Sequence, residues 1–131
     1  MNMTRFKKQT DFGEVGNCFS ACLASVFNIE ISEVPNFYKV VGNDPTAWWG
    51  AVRDWLRDRG FGVMSIQSGL IDQFEGLFIV AGESERGIEH AVLYQNGKVI
   101  FDPHPSNVGV KDVTSVDLLY PLDPSKLEYK P

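Results

Sequence analysis

The chain has 131 residues, 44% of them hydrophobic, and a formal net charge of −5 from 17 acidic and 12 basic residues. That length suits one domain with a sizeable core. The few basic residues near the N-terminus (Arg5, Lys7, Lys8) make no phosphate-binding footprint, so nucleic acid and anionic membrane are poor partners.

No apolar run approaches the roughly 20 residues of a membrane span, and the first residues lack the apolar stretch of a signal peptide. A cytoplasmic protein is the expectation.

Residues 1–16 read as an irregular lead-in. Asn17 is a good helix N-cap, and "CFSACLASVFN" carries apolar residues at helical spacing. Cys18, Ala21, Cys22 and Val26 share one face, with Phe19, Leu23 and Phe27 on the next. A helix apolar around so much of its circumference belongs in the centre of the domain. "SEVPNF" reads as a short helical turn and a break.

"NDPTAWWGAVRDWLRDRG" is the clearest second helix, with Asp44 placed to cap it, Pro45 in its first turn and Gly60 at its end. Trp48, Val52, Trp55 and Leu56 form its apolar stripe. The pattern then changes to strands: "FGVMSIQ", "GLFIVAG", "IEHAVLY" and "KVIFD" are short and separated by turn signals. "VDLLYPL" adds an edge strand before a polar tail, 123–131. Helices first and antiparallel strands afterwards predict a single α+β domain with an N-terminal buried helix packed on the sheet.

Cys18 and Cys22 lie four apart on one helical face, where a standard disulfide does not close. Both read as thiols of a reducing compartment. Thiol chemistry needs a thiolate, a base and something to orient the base. The chain has two histidines, His90 and His104. His90 begins one strand and Asp102 ends the next, with the turn signal "QNGK" between them.

Two hairpins fit that signal. A two-residue Asn96-Gly97 loop pairs Gln95 with Lys98 and turns Asp102 to the wrong face. A three-residue loop, Gln95 to Gly97, pairs Tyr94 with Lys98 and sets His90 directly opposite Asp102. The catalytic reading therefore predicts the three-residue loop. Asp102 would then fix the His90 tautomer, and His90 would take the Cys18 proton. The first turn of the helix favours a thiolate and supplies backbone amides for an oxyanion. Gly16 allows close backbone approach, and Gln9 or Asn17 is the side-chain oxyanion donor.

A cysteine opening a buried helix, "HAV" on a strand and "DP" ending the next resemble the papain-like cysteine peptidase superfamily. "CFSACLAS", "EHAVLY" and "FDPHPS" are most similar to the bacteriocin-processing peptidases and related small bacterial and phage proteins. The resemblance spans about residues 9–105. It implies a papain-like fold, with Cys18 as nucleophile, His90 as base and Asp102 as its orienter. It also implies a glutamine upstream of the cysteine as oxyanion donor, for which Gln9 is the candidate. The substrate would be a peptide or protein, with no cofactor.

Each residue also has a plainer reading. A buried helical cysteine commonly serves as a small hydrophobe, and Cys22 reads as core. His104, two residues past Asp102, joins it and His90 as a weak zinc set; a place in the substrate cleft suits it better, as it suits Trp49. "GESERG" is a solvated turn at the rim, positioned to guide a substrate amine. A peptide or isopeptide hydrolase is the leading expectation. An acyltransferase on the same site is one alternative, and an inactive papain-fold module that binds a host protein is another.

Overall fold

A computed structural model describes residues 6–73, 77–123 and 125. Three helices cover a five-stranded antiparallel sheet, so the α+β expectation holds. The first helix, α1 (Cys18–Phe27), is buried at every residue from Phe19 to Ser25, as its all-round apolar sequence requires. It ends at Asn28, whose left-handed backbone lets its N–H turn back to Ala24 and Ser25.

Two features depart from the expected capping. Asn17 and Asp44 stand at N-cap positions, but neither side chain makes a capping hydrogen bond. Asn17 is drawn instead to the lead-in: its Oδ1 accepts from the Thr10 and Asp11 N–H groups at 2.9 Å each, and its Nδ2 donates to Thr10 Oγ1. The lead-in is therefore anchored at residues 10 and 11, and a short 3₁₀ turn at Gly13–Val15 brings it back to α1.

A 3₁₀ turn, Ile31–Glu33, and a short helix, α2 (Phe37–Val41), come next. Asn36 caps α2 by accepting from the Tyr38 and Lys39 N–H groups. The long helix α3 (Pro45–Asp58) buries Trp48, Val52 and Leu56 and leaves Trp55 half-buried. Its apolar stripe is the expected one.

The strands are β1 (Phe61–Ile66), β2 (Leu77–Glu83), β3 (Glu89–Gln95), β4 (Lys98–Phe101) and β5 (Asp112–Pro121). Their order across the sheet is β1-β5-β2-β3-β4. The last strand is thus an interior strand, paired with both β1 and β2, and the edge-strand expectation is corrected. Its first three residues, Asp112 to Thr114, are exposed, and polar residues there hide a pairing made through distant partners.

One sheet face packs Ile79, Ala81, Ala91, Leu93 and Phe101 against Cys22, Leu23, Val52 and Leu56 of the helices. The other carries a smaller cluster of Phe78, Val80, Val92 and Val116. Among the described residues, no helix is long and apolar enough to cross a membrane. The polar tail lies almost wholly outside the described residues.

Candidate active site

Cys18 is the first residue of α1 and is half-buried, on the wall of a cavity of about 660 Å³. His90, the second residue of β3, lies 2% exposed on the same cavity. Its Nε2 is 2.6 Å from Oδ1 of Asp102, and the Cys18 sulfur lies near enough to favour the charged ring. Because Asp102 occupies Nε2, Nδ1 is the nitrogen left for sulfur.

The route by which Asp102 reaches His90 differs from the expected hairpin. Gln95 pairs with Lys98, leaving the two-residue Asn96-Gly97 turn, with both residues at positive φ. This is the type I′ geometry that Asn-Gly favours. Continued unbroken, that register would turn Asp102 away from His90.

The ladder does not continue unbroken. Tyr94 pairs with Val99 but Leu93 pairs with Phe101, so Ile100 is an extra residue in β4. One inserted residue flips every later side chain to the opposite face. One step past Phe101, Asp102 comes level with Val92 and shares its side of the hairpin with His90. The three-residue loop is therefore corrected to a two-residue turn plus a bulge.

Asp102 is held from several sides. Its Oδ1 also accepts from the His104 N–H and its Oδ2 from the Gly109 N–H, each at 2.8 Å. Lys8 Nζ donates to the Asp102 carbonyl and to Asn107 Oδ1, closing the loop after β4. Burial opposes charge on Asp102, yet the His90 bond and the two amides outweigh it and hold the carboxyl below its ordinary range. Burial likewise opposes charge on His90; the bond to Asp102 and the nearby Cys18 sulfur win and push it up to about 9. A carboxylate and an imidazolium stabilise each other here, within reach of a thiol.

The lead-in closes another side. The Gln9 N–H donates to the Pro103 carbonyl at 3.0 Å, which places residue 9 beside the end of β4. The Gln9 side chain is 8% exposed and lines the cavity with Cys18. Its Nε2 donates to the Asp11 carbonyl, which leaves its second amide hydrogen over. Gly16 sits tightly here: a Cβ would come within 3.1 Å of the Gly13 carbonyl and 3.5 Å of Gln9 Nε2. Backbone amides of the first turn of α1 need no helical partner.

Not every candidate joins the site. Asn17 is engaged with residues 10 and 11 and does not line the cavity. Nor does His104; its ring stands edge-on to His90 and to Phe12, and its Nδ1 accepts from the Ser106 N–H. Trp49 is half-buried and does line the cavity, beside Trp48 and Phe19. Cys22 is fully buried against the Ala91 carbonyl, and burial pushes its thiol well up. Among the described residues, no three His, Cys, Asp or Glu side chains gather in a metal-binding group.

The "GESERG" segment is less solvated than expected. Ser84 is buried and donates to the Ile88 carbonyl, and Arg86 and Glu89 line the cavity near His90. Two further lining residues belong to no sequence motif: Tyr38, whose phenol burial and nearby Glu89 push up to about 12, and Asp117 of β5. An acidic residue inside the apolar run "VDLLY" was the available signal for Asp117. No family model, curated protein or solved structure matches the chain.

Proposed function

We propose that this chain is a papain-like thiol hydrolase acting on a peptide or isopeptide bond. The observation that carries the reading is the His90–Asp102 hydrogen bond at 2.6 Å, with Cys18 and His90 on the wall of one cavity. The paired carboxylate keeps His90 protonated beside the sulfur, which favours an imidazolium–thiolate pair.

In the first half-reaction, the Cys18 sulfur attacks the substrate carbonyl carbon and the carbonyl oxygen becomes an oxyanion. The spare Gln9 amide hydrogen and the free backbone amides at the start of α1 are the donors proposed to face it. The carbon–nitrogen bond breaks as the His90 proton passes to the leaving amine. The product is an acyl-Cys18 thioester and neutral His90. In the second, His90 removes a proton from water, hydroxide displaces the thiolate, and the carboxylic acid leaves. An amine in place of water makes the same site a transferase.

The test is alkylation of Cys18 by iodoacetamide, followed by mass spectrometry from pH 4 to 10. Cys22 is the internal control. The expected result is fast labelling of Cys18 at pH 6.5, at least tenfold slower in His90→Ala, with Cys22 unlabelled in the folded protein. Labelling of Cys18 that is as slow as that of Cys22, or unchanged in the variant, overturns the proposal and turns attention to a binding role.

A further inference from the structure

The cavity extends well beyond the cysteine. Its walls also carry Ser65 of β1, Ser115 and Asp117 of β5, and Trp48 and Trp49, and Trp49 shares a smaller recess with Ser65. Asp117 pairs across the sheet with Ser65 on one side and Ile79 on the other. It is 1% exposed, and among the described residues its oxygens accept hydrogen bonds only from hydroxyls, Ser65 Oγ at 2.7 Å and Ser115 Oγ at 3.5 Å. Among the described residues, no Lys, Arg or His forms an ion pair with it.

A carboxylate buried without a cation is costly, and two serines offset that only in part. Burial accordingly pushes the Asp117 carboxyl up. The cost falls when a cation arrives from outside, and the walls suit one. Indole faces attract a cation through the ring quadrupole. Trp48 is 8% exposed, and its indole N–H has no acceptor among the described residues. The chamber thus holds an acidic group without a cation, a donor without an acceptor and aromatic surface.

We propose that this part of the cavity is a specificity pocket for a basic side chain of the substrate, with Asp117 as the recognising carboxylate. The inference rests on the peptide-hydrolase reading for the identity of the ligand as a peptide side chain. Sheet geometry locates the pocket along the substrate. His90 is level with Gly82, whereas Asp117 is level with Ile79, three residues along and two strands across. At about 3.3 Å per residue and about 4.8 Å per strand, their backbones lie about 14 Å apart.

Two extended residues and a lysine side chain span such a distance. The basic residue therefore sits two or so positions from the scissile bond, not next to it. Arg86 lines the cysteine end and repels a cation there, which directs the basic group to Asp117.

The experiment is a titration of the full-length Cys18→Ala protein at pH 8, following the tryptophan indole N–H signals by NMR. The probes are the N-acetyl, N-methylamide derivatives of lysine, arginine and norleucine. Lysine and arginine derivatives are expected to bind at least tenfold tighter than norleucine, and Asp117→Asn is expected to abolish the difference. Equal binding of the three, no binding of any, or a preference that survives in Asp117→Asn overturns the proposal. Should Asp117→Asn fail to fold, the comparison of probes on Cys18→Ala alone decides. The nucleophile is absent throughout, so this result is independent of the alkylation test, and either reading can fail alone.

Discussion

Substituting Asp102 by Asn is the sharpest probe of the His90 environment. Each tenfold in proton affinity is worth about 1.4 kcal/mol, so a rise from 6.5 to about 9 favours the imidazolium by about 3 kcal/mol. Burial is the largest influence on His90 and acts the other way. Asn keeps the shape of Asp102 and loses its charge, so burial should prevail and the titration should fall below 6.5. The assay is the NMR titration of the histidine ring protons. With only two histidines in the chain, His104→Gln assigns them. His104 serves as reference, because burial and the nearby Arg86 charge lower it.

The wild type should then show one ring titrating well above 6.5 and one below. A His90 midpoint at or below 6.5, or one that Asp102→Asn leaves unmoved, refutes the account. The stability consequence has a definite sign. The folded value exceeds the unfolded one, so the stabilisation is fully present below about pH 6.5 and is lost as pH rises through about 9. Cys18→Ala is the better background for that measurement, since the thiol proton no longer enters the balance. Asp102 alone then supports His90, and the loss is a fraction of the 3 kcal/mol ceiling.

Three other substitutions test the frame around the site. Asn17→Ala removes the acceptor of the Thr10 and Asp11 amides and should lower stability by about 1–2 kcal/mol, read as a lower urea midpoint; an unchanged midpoint would mean the lead-in is held by other contacts. Gly82→Ala drives a Cβ into the Asp112 carbonyl where β2 and β5 shift register, and a thermal melt should show a loss of about 3 kcal/mol. Lys8→Met releases the loop after β4, so amide exchange at residues 104–108 should quicken while that of α1 stays as it was.

Much of the fold was legible where burial is local. The apolar circumference of "CFSACLAS" demanded a central helix, and the Trp48–Val52–Leu56 spacing named the buried face of α3. Asn17 and Asp44 hold the predicted N-cap positions, but neither side chain makes the capping bond. Asn17 has a stronger claim on its side chain, because two lead-in amides need an acceptor. For Asp44 the structure offers no competing partner among the described residues. The place of β5 was illegible because strand order depends on partners far away in the chain, and its exposed start, Asp112 to Thr114, resembles an edge.

The hairpin shows how far a functional constraint can substitute for missing structural information. Requiring His90 and Asp102 to share a face excluded every unbroken two-residue hairpin, yet "QNGK" is the preferred sequence for that very turn. The two demands conflict unless a residue is added somewhere between Tyr94 and Asp102. A longer loop and a β-bulge both add one, and they differ in where they leave the carboxylate. The loop would have set Asp102 directly opposite His90. The bulge at Ile100 puts Phe101 opposite Leu93, and the carboxylate of Asp102, one residue on, meets the ring at 2.6 Å. Asn96-Gly97 keeps its favoured conformation, and the parity correction moves into the strand. Local turn chemistry thus won the loop, the His90–Asp102 pairing won the face, and the bulge is where the two were reconciled.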